Sequence, residues 1–228
     1  MKKLLLLCFL ISITNCSKKV YAPFKVGVIA DCQYCDCEIK WGRYYKKSPQ
    51  RLKEAVAELN KDSLSYTIHL GDFIDQKIKS LDSILPTWNT LNSKKYHVLG
   101  NHDFDVGQTN KQKLLNKLNI KNRYYSFIEN DWKFIVLDGN DLSFYGTLTK
   151  QKEKQTDSLF NLLKGKNLPY LKNWNGGLSN KQIQWIKKEL DKAIQKKQKV
   201  RNPRSLQIRS KEEVQSRHQQ ESGQRGRD

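Results

Sequence analysis

Hydrophobic and polar positions alternate along the chain in blocks that predict strands separated by helices. Three short apolar runs are typical of buried strands, and they cover residues 24–30, 65–70 and 95–99. A helix is predicted at residues 48–60, where Ser48 suits the N-cap and Pro49 suits the first helical position. A second helix is predicted at residues 80–92. This order implies βαβ crossovers and a mostly parallel sheet, in which ligands bind beyond the carboxyl ends of the strands.

The second half of the chain predicts a hairpin followed by two helices. Residues 123–129 and 132–138 are strand-like runs separated by two polar residues, a spacing typical of a β-hairpin. Residues 149–164 predict a polar helix. A last helix is predicted to begin at Ser179, because Gln182 stands three residues later in a capping-box pairing. Its predicted apolar stripe comprises Ile183, Ile186, Leu190 and Ala193.

The composition indicates one domain with a strongly basic surface. The chain has 228 residues and a formal net charge of +19, carried mostly by scattered lysines. A diffuse lysine surface is typical of a solvated face that mildly attracts anionic ligands. It is weak evidence for nucleic-acid binding, because no RNP, zinc-finger or basic-zipper pattern accompanies it. A basic nucleic-acid binder therefore remains the less favoured functional hypothesis.

The cysteines do not indicate a zinc site. Cys32, Cys35 and Cys37 lie close together, and the chain has no second cysteine or histidine pair at a matching distance. We expect them to be too close for easy mutual pairing and to act as small space-filling residues.

Both ends of the chain differ from the middle. An apolar run at residues 4–13 follows two lysines and predicts a secretory signal over residues 1–16. Its end resembles a bacterial lipoprotein cleavage box, so Cys16 is a candidate for acylation; an ordinary signal and an uncleaved anchor are the alternatives. The predicted location is exported, either periplasmic or membrane-anchored. Residues 201–228 are rich in arginine and contain no aromatic residue, so we expect them to be disordered and place the domain at residues 24–200.

Three predicted strands end on polar side chains that can bind metal. The first is followed by Asp31 and Gln33, the second by Asp72 and Asp75, and the third by Asn101 and His102. If the strands are parallel neighbours, these side chains meet at one edge of the sheet, where carboxylate, amide and imidazole groups suit a hard or borderline cation. Gly71 and Gly100 would let the backbone turn sharply at these ends. Each motif alone also occurs in ordinary turns, but the ordered set predicts a metal-binding platform.

This set of motifs resembles the calcineurin-like metallophosphoesterases, whose signature runs D-x-H, GD and GNH[DE]. Gln33 stands where most of that superfamily has histidine, and this feature resembles the manganese-dependent ADP-ribose/CDP-alcohol diphosphatases. The likeness continues with acidic Asp36 and Glu38, and with the segments RYYKKS (43–48), LDGNDLS (137–143) and NWNGGLSNKQIQWI (173–186). It covers residues 25–200.

The resemblance implies an α/β metallophosphoesterase sandwich, with sheets flanked by helices, that binds two divalent metal ions. Manganese is the favoured ion, and iron, zinc and magnesium are alternatives. It implies that Asp31 and Gln33 hold one ion, that Asp72 bridges both and that Asn101 holds the second. His102 would act on the leaving group as an acid or charge stabiliser. Three further residues are implied as contacts for the nucleotide or pyrophosphate: Arg43, Tyr44 and Tyr45.

The implied substrates are phosphorylated small molecules, with nucleoside diphosphate derivatives such as ADP-ribose or CDP-alcohols favoured over other phosphoesters. The family completes its site with a later histidine and a G-H-x-H motif, and His218 matches neither. We therefore expect a truncated C-terminal half, through a frameshift or shortened reading frame, with poor activity and marginal folding. An inactive fragment that binds a phosphate ligand or a partner protein is the alternative function.

Four other polar residues near the motifs are assigned structural or solvent roles. Asp103 and Asp105 are expected to be solvated loop carboxylates. His69 and His97 precede the strand ends and are expected to be core histidines.

Overall fold

Two three-stranded sheets organise the part of the chain that the computed structural model describes, residues 22–166 and 168–202. The first sheet is entirely parallel, and its order follows the chain: β1 (Val26–Ile29), β2 (Tyr66–His69) and β3 (Lys94–His97). In the second sheet, the middle strand pairs antiparallel with one neighbour and parallel with the other: β4 (Tyr125–Glu129), β5 (Trp132–Val136) and β6 (Lys199–Arg201). The predicted parallel sheet and hairpin are both present.

Five α-helices accompany the sheets within the described ranges: α1 (Ser48–Leu59), α2 (Ser80–Asn89), α3 (Lys111–Lys117), α4 (Lys150–Lys164) and α5 (Asn180–Gln195). Helix α3 lies outside the predicted elements. Ser48 is the first helical residue of α1 and not its N-cap, because a 3₁₀ turn at Tyr45–Lys47 leads directly into the helix. The predicted cap of α5 is confirmed, since the Ser179 side chain accepts a hydrogen bond from the Gln182 backbone N–H.

Two apolar layers hold these elements together. One lies between the first sheet and its helices and includes Leu52, Ile84, Trp88 and Leu114. The other lies between the two sheets and includes Tyr66, Ile68, Phe134 and Val136. Alternate side chains of β2 therefore point to opposite layers, as expected for a strand buried on both faces. The arrangement is the predicted α/β sandwich of sheets flanked by helices.

The face that α5 buries differs from the predicted stripe. Ala193 is fully buried, but Ile183 and Leu190 are 36% and 37% exposed. The buried polar residues Gln182 and Glu189 occupy the inward face instead. Glu189 pairs with Lys133 of β5 at 2.6 Å and accepts a hydrogen bond from Ser126 of β4 at 2.7 Å. The stripe prediction is therefore confirmed for Ala193 and for the half-buried Ile186 but wrong for Ile183 and Leu190, because the polar residues Gln182 and Glu189 share the buried face.

Burial of Glu189 works to raise its pKa, but hydrogen bonds from Lys133, Lys192 and Ser126 outweigh burial and lower the pKa to about 2. Glu189 therefore stays ionised in the folded protein, as a charged anchor between α5 and the second sheet.

The two histidines near the strand ends are core residues, as predicted. His69 is fully buried, and its ring lies 4.5 Å from that of Phe73; the ring of His97 lies 4.9 Å from that of Trp88. Burial lowers the pKa of His97 from 6.5 to about 4 and lowers that of His69 well below 6.5. Both rings are therefore neutral in the folded protein at neutral pH.

The stability of the protein should fall as pH drops from 6.5 towards 4. The unfolded chain binds protons at both histidines below 6.5, whereas in the folded protein His97 binds a proton only near pH 4 and the pKa of His69 lies well below 6.5. Each histidine should cost up to roughly 1.4 kcal/mol per pH unit in this window and nothing above it. Urea unfolding at several pH values, compared between the native chain and His97→Phe, measures the effect, since the phenyl ring keeps the contacts and removes the proton site. Equal pH profiles would contradict it.

The cysteine prediction is wrong for one pair. Cys35 and Cys37 form a disulfide, because the bend at Asp36 brings their Cα atoms to 5.1 Å, within the usual range for such a bond. Cys32 is the free thiol among the described cysteines, and burial raises its pKa to about 12.

Several predictions about the ends concern residues 1–21 and 203–228, which lie outside the described residues. They are the signal over residues 1–16, acylation of Cys16, the disordered tail and the role of His218, and they stay predictions. The domain boundary placed at residue 200 falls inside β6, because Arg201 still pairs with Phe134. Within the described ranges, none of the helices has the length and apolar character needed to cross a bilayer.

Candidate metal centre

The first two strands of the parallel sheet carry their predicted ligands to adjacent positions. Ile29 and His69 are register partners, and the pairing continues past the strand ends. The Asp31 N–H donates to the Gly71 carbonyl at 3.2 Å, and the Gln33 N–H donates to the Asp72 carbonyl at 2.7 Å. The backbones of Asp31, Gln33 and Asp72 therefore run side by side at one sheet edge.

The residues that directly follow β1, β2 and β3 are called the strand tips here. The tip of the third strand contacts the tip of the second. The Val98 N–H donates to the His69 carbonyl at 2.7 Å, and the His102 N–H donates to Asp72 Oδ1 at 3.0 Å. Asn101 precedes His102 and so stands beside Asp72. The structure thus gathers the backbones of all four predicted metal ligands, as the carboxyl ends of parallel neighbours require.

Three of these residues have a left-handed backbone that side chains seldom adopt. The φ angles are 52° at Asp31, 43° at Gln33 and 57° at Asp72. Such conformations cost roughly 1 to 3 kcal/mol each and cluster at functional sites. The surrounding contacts therefore hold these three backbones in this conformation at the expense of local stability.

Gly71 and Gly100 allow the two tips to touch. Gly71 has a φ of 105°, which only glycine adopts readily, so its predicted sharp turn is confirmed. Gly100 is needed for a different reason, since a Cβ there would lie 2.5 Å from the Asp72 nitrogen and overlap the Asp72 carboxylate. The second glycine therefore makes room for the central carboxylate.

The variant Gly100→Ala should destabilise the fold by about 1 to 3 kcal/mol, because the added methyl group has no space beside Asp72. The matched control is Gly165→Ala at the end of α4, where a Cβ meets no atom within 4 Å. Thermal unfolding of both variants tests this, and the explanation fails if the two behave alike.

Asp103 fastens the second and third tips together. It is 1% exposed, and its carboxylate accepts four backbone N–H groups at 2.8 to 3.1 Å: those of Asp72, Phe73, Ile74 and Gly100. Burial, reinforced by the nearby charge of Asp72, raises the pKa of Asp103 to about 7 against the effect of these donors. The expectation that Asp103 is solvated is wrong, whereas Asp105 is exposed as predicted. Asp103 is buried because it accepts hydrogen bonds from backbone N–H groups about 30 residues earlier in the chain, which the sequence does not reveal.

His102 is oriented by a second carboxylate. Its Nδ1 lies 3.2 Å from Oδ1 of Asp75, which is 2% exposed. This contact with Asp75, together with the negative charge of Asp72, raises the pKa of His102, while burial and the positive charge of Arg43 work in the opposite direction. Arg43 is therefore close enough to His102 for their charges to interact.

Residues 24–201 match the family model described as calcineurin-like phosphoesterase. The chain belongs to the calcineurin-like phosphoesterase family. It is 30% identical over 208 residues to the manganese-dependent ADP-ribose/CDP-alcohol diphosphatase of Arabidopsis thaliana, and the match covers 78% of this chain and 66% of that protein. It is 27% identical over 220 residues to the protein of the same name from Danio rerio, covering 78% and 68%.

A solved structure supports the same family. The crystal structure of a dimetal phosphatase from Danio rerio is similar, with a TM-score of 0.67 and 25% identity over 78% of this chain and 68% of that one. The chain spans about two thirds of the length of the curated relatives it matches.

The later segments that resemble the family build a buried polar scaffold behind the tips. Asn140 Nδ2 donates to the Leu99 carbonyl at 3.2 Å, which ties the loop after β5 to the third strand. Arg123 pairs with the buried Asp138 at 2.8 Å. Gln182 of α5 donates to the Asp138 carbonyl at 3.1 Å. These contacts hold the loop after β5 against the end of β3 and against α5, a role that the sequence alone did not show.

The predicted substrate contacts occupy three different environments. Arg43 stands near His102, and Tyr44 is 49% exposed. Tyr45 is 2% exposed, and its hydroxyl has no hydrogen-bond partner within the described ranges. The ring of Tyr45 therefore belongs to the core, and the structure does not support its role as a substrate contact.

The donor set at the tips suits a hard divalent cation. Asp31 and Asp72 offer carboxylate oxygens, and Gln33 and Asn101 offer amide oxygens, which manganese and magnesium accept. In the described part of the chain, no three His, Cys, Asp or Glu side chains form a group that could hold a metal ion. Of the four predicted ligands, only Asp31 and Asp72 are of those types, so the predicted set is partial and rich in oxygen donors.

Proposed function

We propose that this chain is a metal-dependent phosphohydrolase that cleaves the phosphoanhydride bond of nucleoside diphosphate derivatives such as ADP-ribose or CDP-alcohols. The observation that carries the proposal is the meeting of Asp31, Gln33, Asp72 and Asn101 at one sheet edge, where three strained backbones present them. The similarity to diphosphatases and to a dimetal phosphatase supports the substrate class and the use of two divalent ions, with manganese favoured.

Each tip residue has an assigned role. Asp31 and Gln33 would hold one ion, Asn101 the other, and Asp72 both, since a carboxylate can bridge two cations while offsetting their repulsion. When bound, the two ions would neutralise negative charge on the phosphoryl oxygens and activate a water molecule. His102 would donate a proton to the leaving oxygen, and its contact with Asp75 fixes the orientation of the ring. Arg43, whose charge acts on His102, would bind a phosphate oxygen.

The test is an assay of AMP release from ADP-ribose and of CMP release from a CDP-alcohol, with manganese and with excess EDTA. We expect release that requires manganese and is absent in the Asp72→Asn variant. Manganese binding without release of either product would refute hydrolysis and favour the alternative of a phosphate-binding protein. Tight, salt-sensitive binding to DNA in place of hydrolysis would favour the basic nucleic-acid binder.

A further inference from the structure

A cavity of about 630 Å³ opens directly beside the candidate metal centre, with Asn101 on its wall. It lies between α4, the loop at residues 137–144 and the loop at residues 170–178. Its volume falls within the range of about 300 to 1,000 Å³ that is usual for small-molecule sites. A substrate whose phosphates lie at the strand tips could extend the part beyond its phosphates into this cavity.

The cavity walls are largely apolar and include four aromatic rings: Phe144, Phe160, Tyr170 and Trp174. The rings of Phe144 and Phe160 meet edge to face with their centres 5.1 Å apart. Tyr170 and Trp174 are 65% and 56% exposed, which is unusual for side chains of this size. Rings placed in this way can bury a flat, apolar group against their faces.

One buried polar atom in the wall has no partner. Thr156 of α4 lines the cavity and is 5% exposed, and its hydroxyl oxygen makes no hydrogen bond within the described ranges. A buried hydroxyl without a partner is costly, and most such groups in proteins are satisfied. A ligand with a heteroatom at its edge would satisfy this hydroxyl, whereas an acyl chain would not.

The charge of the wall also limits the ligand. Lys172 is the charged residue among those that line the cavity, and it is exposed. An anionic group would find little compensation deeper inside, so the deep part of the cavity suits an uncharged, planar group that carries hydrogen-bonding atoms. These are the properties of a nucleobase.

We propose that this cavity binds the nucleobase of the substrate, with Thr156 hydrogen-bonding to the edge of the base and Trp174 stacking on its face. The proposal rests on the proposed function for the identity of the substrate. In this arrangement, α4 and the loop at residues 170–178 determine specificity for the base, and the strand tips carry out the phosphate chemistry.

The experiment measures the binding of adenosine and cytidine to the full chain in EDTA, by isothermal titration, so that neither metal nor hydrolysis is required. Thr156→Val removes the hydroxyl and keeps the shape of the side chain, and Trp174→Ala removes the ring. We expect each to weaken nucleoside binding about tenfold. Ser158→Ala and Leu162→Ala, at exposed positions of α4 outside the cavity wall, should leave it unchanged.

The outcomes separate the two proposals. Nucleoside binding that both cavity variants leave unchanged, or binding of decanoate in place of nucleosides, would overturn the base site even if manganese-dependent hydrolysis is found. Nucleoside binding that the two variants weaken supports the base site even if hydrolysis is not found, in which case only the proposed enzymatic function fails. Retained circular dichroism spectra show that the variants are folded.

Discussion

Replacing Asp103 with alanine is expected to reduce the free energy of unfolding by about 3 kcal/mol or more. The change removes the acceptor for four backbone N–H groups in the turns after β2 and β3 and leaves those donors buried. Each unsatisfied donor costs about 1 to 3 kcal/mol, and water entering the small space left by the side chain recovers part of that cost. Urea unfolding, with the slope checked for two-state behaviour, measures the loss.

Asp105→Ala is the matched control for this prediction, since it removes the same group two residues later at an exposed position. Surface changes of this kind usually alter stability by less than about 0.5 kcal/mol. If the two alanine variants unfold at the same urea concentration, Asp103 does not fasten the tips. Asp103→Asn should fall between the native chain and Asp103→Ala, because its amide keeps one acceptor oxygen and turns an N–H group towards the other donors.

Most elements of the fold, with α3 as an exception, were predictable because their signals are local. A strand such as β2 contains no Asp, Glu, Lys or Arg and is buried on both faces, and α5 carries its own capping residue in Ser179. The gathering of the predicted metal ligands was also predictable, since parallel neighbours must end at one edge. This rule of topology predicts that three separate motifs, at Asp31, Asp72 and Asn101, form one candidate site.

The residues that were misassigned depend on contacts that no local pattern encodes. The burial of Asp103 follows from donors on another tip, and the rotation of α5 follows from the pairing of Glu189 with Lys133. The disulfide of Cys35 and Cys37 depends on a bend between them. In each case the partner becomes visible only when the chain is folded, so the sequence favoured the ordinary alternative.

The left-handed conformations of Asp31, Gln33 and Asp72 belong to the same group of unpredicted features. In a surface turn, aspartate tolerates this conformation at modest cost, but three such residues on adjacent tips form a feature of the folded site. The polar scaffold of Asn140 and Asp138 and the fastening by Asp103 supply contacts that offset this strain. The candidate site is therefore supported mainly by residues that are not among its predicted metal ligands.

Asp72→Asn is expected to weaken manganese binding at least about 100-fold, because it removes the charge of the one carboxylate assigned to both ions. The fold should survive the change. Asparagine tolerates the left-handed conformation that Asp72 adopts, and its oxygen can still accept the hydrogen bond from the His102 N–H. Paramagnetic resonance of free manganese during a titration measures the affinity, and thermal unfolding in EDTA tests whether the fold is kept.

Asp62→Asn controls for the loss of one negative charge, since Asp62 is an exposed carboxylate paired with Lys25 and stands outside the strand tips. Its manganese titration should match that of the native chain. Equal manganese affinity in the native chain and Asp72→Asn, with both folded, would show that the strand tips do not hold the ions and would remove the basis of the proposed chemistry. A loss confined to Asp72→Asn would instead locate the metal at the meeting point of the three parallel strands, where Gly100 leaves room for this single side chain.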